Sequence, residues 1–394
     1  MNCFKLKLLS TSVFVAMSSH SLAGPTAVPY ETESGISIAP YVNVSLGHND
    51  NLAKTADNTE SSSYSVIEPG VVISLAPGTQ QHTFGYRIAR GDYFSSSQDN
   101  FTDHFFDLNS KWELNDRHQF NLDYALALTH DSRGDNDTTL NMPHDEYTTN
   151  NLNFKYTFGR SDAIGRIETS LGWGDQTYDN NRSITRFQDW QERRFNTIFY
   201  YKALPKTALL FQIIANDKSY DETAIGASTK DSKHYFTYVG AGWDATGALQ
   251  GNIKFGLQRK EFDADDKSEF KSFSWDADLT YMIRTYSALT LATNRRATDP
   301  DGYGNAIDTK TYSVKWLHQW NERVNTSLGY RLLDEQYDGS SRTDDTNNFD
   351  ASVNYDLMRW LSVKAGIGLE SKDSNVSNVG YDQTIYFVSL EGVM

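Results

Sequence analysis

The residues able to carry chemistry are scattered along the chain, and their spacing matches no catalytic arrangement. There is no G-x-S-x-G nucleophile elbow, no H-E-x-x-H zinc pair and no glycine-rich phosphate cradle. His118, His130 and His234 stand isolated and read as ordinary turn, lumen or loop residues. Asp263, Asp265 and Asp266, or Asp344 and Asp345, offer hard oxygen ligands for calcium, but they lack the spacing and turn glycine of a calcium loop. Solvated acidic loops are the reading. No catalytic residue, metal site or cofactor is therefore assigned. What remains is a set of polar and charged residues that share one parity of alternating segments: Arg87, Asp123, Lys155, Arg166, Glu168, Lys254, Asp276, Asp278, Arg296, Lys315, Arg331 and Lys364. These either pair across a wet wall or guide a polar solute. Tyr200, Phe236 and Tyr238 fall on the same parity and could pack against the apolar faces of sugar rings.

The segments that hold these residues read as β-strands. From Phe120 to Leu128 every second residue is large and apolar (Phe120, Leu122, Tyr124, Leu126, Leu128), while Asn121, Asp123, Ala125, Ala127 and Thr129 alternate with them. A strand sends successive side chains to opposite faces, so one face is greasy and the other wet. About 18 such segments recur, near 38–47, 64–76, 81–93, 101–114, 118–131, 146–158, 164–177, 188–203, 208–220, 232–245, 251–264, 269–284, 287–298, 308–320, 323–336, 347–358, 361–373 and 381–394. Short breaks, such as those at Gly78, Asp116 and Pro205, alternate with long polar ones, such as Ser132 to His144 and Asp338 to Asn347. Outer-membrane barrels have short periplasmic turns and longer outer loops, and an even strand number puts both ends in the periplasm. A soluble sandwich of 394 residues would need several cores joined by linkers, and no linker is evident. The pattern predicts an all-β fold, a transmembrane antiparallel up-and-down barrel of about 18 strands.

Composition agrees with that expectation. Lys5 and Lys7, the apolar run from Leu8 to Met17 and the exit Ser21-Leu22-Ala23 predict a secretory signal over 1–23. A periplasmic segment over 24–37 and a barrel over 38–394 would follow. Cys3 is the only cysteine and falls within that signal, so the mature chain would hold no disulfide and no thiol ligand. Later residues contain no apolar run of about 18, which leaves strands as the way to cross a bilayer. A mean hydropathy of −0.58 is compatible, because half of each strand of a large barrel faces water. Aromatic residues make up 13%, 23 of them Tyr, enough for interfacial girdles. A net charge of −15 argues against nucleic acid as a partner.

Pro40-Tyr41-Val42-Asn43-Val44-Ser45-Leu46-Gly47-His48-Asn49 runs into Asp50-Asn51-Leu52. This first strand with its Asp-Asn-hydrophobic step resembles the outer-membrane β-barrel porins found with exopolysaccharide and capsule export loci. The resemblance implies a non-enzymatic channel component for polysaccharide secretion in a Gram-negative outer membrane. Its partners would be lipid and lipopolysaccharide, the polysaccharide itself, a periplasmic polysaccharide export protein and the barrel assembly machinery. The final strand alternates through Thr384, Tyr386, Val388 and Leu390 as assembly signals do, but ends in Met394 where most end in Phe or Trp. A diffusion porin for small polar solutes and a surface receptor or adhesin barrel are the alternative functions.

Overall fold

The computed structural model describes residues 25, 28–135, 142–160, 162–244, 248–300 and 304–394. The expected signal segment lies outside the described residues. The strands are β1 (Tyr30–Glu31), β2 (Ile36–Asn49), β3 (Ser62–Leu75), β4 (Gln80–Tyr93), β5 (Phe101–Asn115), β6 (His118–Asp131), β7 (Asp145–Phe158), β8 (Gly165–Tyr178), β9 (Trp190–Leu204), β10 (Thr207–Tyr220), β11 (Ser232–Asp244), β12 (Leu249–Phe262), β13 (Phe270–Arg284), β14 (Ser287–Thr298), β15 (Ala306–Gln319), β16 (Val324–Asp338), β17 (Thr343–Met358), β18 (Leu361–Ser374) and β19 (Tyr381–Val393). Strands β2 to β19 each pair antiparallel with their chain neighbours, and β19 returns to pair with β2, giving a closed barrel of 18 strands. Closure leaves no free sheet edge, which a bilayer requires.

Burial alternates in the sense that a lipid solvent demands. On β12, Leu257 is 67% exposed while its neighbour Gln258 is 1% exposed. On β8, Leu171 and Trp173 face out, and Ser170 and Gly172 face in. A water-soluble barrel would reverse this order, hiding the leucines and exposing the amides.

The Asp-Asn-hydrophobic step acquires a structural role at the seam. Pairing between β2 and β19 runs from Tyr41↔Val393 to Asn49↔Ile385. Beyond it, the Asp50 carboxylate accepts a bond from the Thr384 amide at 2.6 Å, and Asn51 donates to the Asp382 carbonyl at 2.8 Å. Gln383 donates in turn to the Asn51 carbonyl at 2.6 Å. Leu52, 5% exposed, turns inward behind them. The motif stitches the first strand to the last. At the opposite end the Met394 amide donates to the Pro40 carbonyl at 3.0 Å, so the last residue is held in the wall.

Several boundaries differ from the sequence reading. The barrel wall begins at Ile36 rather than 38, and Tyr30–Glu31 folds back on Ser37 and Ile38 as a two-residue strand. Strand β17 begins at Thr343, four residues earlier than expected, so Asp344 and Asp345 lie in a strand and not in a loop. The long breaks are not uniformly long either: only 339–342 separate β16 from β17, the same length as the 320–323 turn on the other side. Burial of Asp344 against Arg342 lets the strand continue through an acidic stretch.

This topology puts Asp116 and Ile225, which is fully exposed in the break after β10, at opposite ends of the barrel, and the rule that short turns face the periplasm predicts that Ile225 lies outside. An impermeant maleimide is expected to label Ile225→Cys on intact cells and to label Asp116→Cys only after lysis. Equal labelling of both on intact cells would contradict the orientation.

Candidate functional site: the barrel interior

Strand registers place all twelve charged residues singled out above on the face opposite the exposed leucines and aromatics. Arg166, Tyr200, Leu210, Gly240, Lys254 and Asp276 form one continuous line across β8 to β13. Glu168, Gln212 and Tyr238 form the line above it. Among them the structure brings together Lys254, Asp276 and Arg296: Asp276 accepts from Lys254 at 3.3 Å and from Arg296. Asp278 accepts from Asn252, Arg166 pairs with Glu168 at 3.3 Å, and Arg87 pairs with Glu68 at 2.5 Å. Asp123 accepts from Asn109 and, at 3.5 Å, from Asn153. Lys315, Arg331 and Lys364 lie on β15, β16 and β18, outside this group.

A cavity of about 1070 Å³ runs along the inner wall of β6 to β14. It reaches from Ala163, Pro205 and Lys206 at the short-turn end to Tyr220, Lys230 and Pro300 at the outer end. Between these ends it is lined by Asp123, Lys155, Arg166, Lys254 and Arg296, with the amides Asn151, Asn153, Asn196, Gln212, Asn216 and Asn252. Side chains cannot fill a barrel of 18 strands, so such a wet space is expected.

The three inward aromatic rings do not form an open sugar-stacking track. Tyr238 is 1% exposed, donates to or accepts from Ser274 at 2.7 Å and lies under Lys254. Phe236 is packed between His234, at 4.1 Å between ring centres, and Tyr238. The Arg166 guanidinium covers Tyr200 at 4.4 Å. Neighbours close off Phe236 and Tyr238, while Arg166 covers one face of Tyr200, which still lines the cavity. Two rings that parity did not single out, Trp190 and Tyr220, line the outer end of the cavity, each with the Lys218 ammonium over it.

The three histidines are not isolated in space. His130 bonds Asp103 at 3.0 Å, His234 bonds Gln258 at 3.2 Å and His118 bonds Tyr156 at 2.8 Å. None meets a nucleophile, and the described residues contain no grouping of histidine, cysteine and acids suited to a metal ion. The two acidic clusters also find protein partners: Asp266 accepts from Ser228, and Asp344 is held by Arg342, Ser374 and Lys372.

Loops fold over the outer mouth through buried ion pairs. After β2, Lys54 reaches Asp135 at 2.8 Å and Glu370 at 3.0 Å. Burial opposes its charge, yet Asp135, Tyr381 and Glu370 prevail and hold the ammonium well above its usual range. Gly134, at φ +79°, passes so near the Ala53 carbonyl that a Cβ would sit 2.2 Å from it, so only glycine lets these loops meet. After β14, Asp299 turns into the lumen and is gripped by Lys218 from β10 at 2.7 Å and by Lys260 from β12.

Burial disfavours the Asp299 carboxylate, but the two lysines overcome it and hold its carboxyl well below the usual range. A carboxyl whose folded pKa is lowered lends stability above its unfolded value of 3.8, and that stability is lost only as pH falls through the lower folded value. The rate at which a cysteine at Pro300 reacts with a soluble maleimide, taken relative to free cysteine at the same pH because the thiolate is the reacting form, is therefore expected to stay low and unchanged between pH 7 and pH 4. Asp299→Asn should accelerate it at every pH by releasing the loop. Acceleration of the parent barrel already between pH 6 and pH 4 would show that Asp299 does not hold it.

Residues 36–392 match the family described as Putative beta-barrel porin 2. The chain belongs to that family. In fold the porin is similar to the outer membrane protein OpdK of Pseudomonas aeruginosa, solved with vanillate, at TM-score 0.51 and 11% identity over 91% of this chain and 99% of that one. The siderophore receptor PirA from the same organism aligns at TM-score 0.47 and 9% identity, over 93% of this chain and 81% of that one. A search of curated proteins found no match. Identities this low speak to fold alone. Family and barrel together place the porin in the outer membrane of a Gram-negative bacterium, as a porin-like channel.

Proposed function

We propose that this porin is an outer-membrane channel for export of exopolysaccharide or capsular polysaccharide. The reading is carried by the wet cavity that follows one wall from the short-turn rim to the outer rim. Its amides, such as Asn151, Asn196 and Asn216, present paired donors and acceptors at successive heights, which suits a chain of sugar hydroxyls sliding past. The first-strand resemblance to export-locus porins supports the same reading. In it, a periplasmic export protein delivers polymer at the short-turn face, and lipid and lipopolysaccharide surround the apolar band. The assembly machinery reads β19. No bond is made or broken, so no catalytic residue or cofactor is required. Residues 1–23 act as the secretory signal.

A second reading, a diffusion porin for small polar solutes, draws on the cavity's size: about 1070 Å³ lies near the upper end of small-molecule sites. Deletion of the gene separates the two. Export predicts loss of surface polymer or its retention in the periplasm, with growth on small solutes unchanged. Normal surface polymer under conditions of expression would remove export and leave diffusion.

A further inference from the structure

We infer that the cargo is an anionic carbohydrate, a chain of sugars bearing carboxylates; this rests on the export reading and names its substrate class. The chain as a whole carries a net charge of −15, yet its cavity is lined by ten lysine and arginine side chains against four carboxylates. Counting Asp276 and Glu168, which back the wall behind Lys254, Arg296 and Arg166, still leaves an excess of four cations among the described residues.

The excess is built into the pairing. At the outer end Lys218 and Lys260 share the single carboxylate Asp299. Deeper in, Lys254 and Arg296 share Asp276. Each trio retains one positive charge. Lys155, on the wall between, and Lys206, at the short-turn rim, have no ion pair among the described residues. A wall whose charges served only to neutralise one another would match cations to carboxylates one to one. Cations at successive heights with a surplus instead offer each passing carboxylate a charge-assisted bond before the last is released. Low-dielectric walls focus such a field and enrich counter-ions in the passage.

The test uses the full-length barrel reconstituted in planar bilayers under a potassium chloride gradient. The reversal potential should report an anion-to-cation permeability ratio of roughly ten at low salt, falling towards unity in 1 M salt, where the screening length is about 3 Å. Lys155→Glu with Lys206→Glu should shift the reversal potential towards cation selectivity, while Lys155→Gln should shift it less. Heat-modifiable gel mobility checks that each variant is folded. Polygalacturonate oligomers should block the current at concentrations where neutral dextran oligomers of equal length do not.

Block by the oligomers supports a polymeric cargo. Block by monomeric galacturonate alone supports the charge inference and points to a free sugar acid, which would count against export. A cation-selective barrel, or equal block by dextran and polygalacturonate, overturns the inference. In that case a positive deletion result would leave export standing for a neutral polymer.

Discussion

Asp344→Ala is expected to destabilise the barrel by about 3–5 kcal/mol, because it removes a buried carboxylate on which a guanidinium, an ammonium and a hydroxyl converge. Arg342 and Asp344 have fully buried side chains at the outer mouth. The carboxylate takes Arg342 Nε at 3.0 Å and Arg342 Nη2 at 2.6 Å, and also Ser374 at 2.6 Å and Lys372 at 3.1 Å. Arg342 lies over the Tyr337 ring, 4.4 Å from its centre, so the guanidinium has packing on one side and its carboxylate on the other. Urea unfolding in lipid vesicles, followed by tryptophan fluorescence, measures the loss. Replacing both partners by apolar residues, Arg342→Met with Asp344→Leu, should recover part of it, since removing the pair also removes its desolvation cost while Lys372 still loses its carboxylate. A single variant as stable as the parent would show that the pair is solvated.

Leu171→Arg should cost about 2–4 kcal/mol, the penalty for a cation on the lipid face near the bilayer midplane. Leu171 lies at the centre of β8, is 58% exposed and points to lipid. Ser170→Arg, one residue earlier, enters the wet interior and should leave the unfolding midpoint almost unchanged. The same vesicle titration compares them. If the interior substitution were the damaging one, the face assignment would be inverted along the whole wall, because registers tie β8 to its neighbours residue by residue.

The interior face was legible because strand periodicity is two and a barrel repeats it without exception. One correct parity on β8 assigns Arg166 and Glu168 together, and a residue-by-residue register carries the assignment to Lys254. Lys218 and Lys260 share the inward parity of Gln212 and Lys254 and could have been read the same way. Asp299 could not, since it lies in a loop and meets lysines 81 and 39 residues away through tertiary folding. The start of β17 was hidden by composition: Asp344, Asp345, Asn347 and Asn348 resemble a solvated loop until Arg342 is seen to bury the first of them. Parity also says which face a ring is on but not what lies against it. Phe236 and Tyr238 point inward as expected, yet His234, Lys254 and Ser274 cover them.

Seam geometry gives the first-strand motif a physical meaning that its residues alone do not carry. Asp50 and Asn51 extend a pairing that would otherwise stop at Asn49↔Ile385, tying the two ends of the chain where the outer loops begin. An aspartate and an asparagine suit the task because the first offers a side-chain oxygen to a strand amide and the second a side-chain amide donor to a strand carbonyl beyond the last ladder rung.

Conduction of a polymer is the central claim, and efflux measures it most directly. Liposomes loaded with fluorescent oligosaccharides of graded length, carrying the purified full-length barrel, should release long acidic chains as well as short ones, and Asp299→Asn should speed release by freeing the outer mouth. Retention of every chain longer than a few sugars, with free escape of monosaccharides, would contradict export and identify the barrel as a route for small solutes.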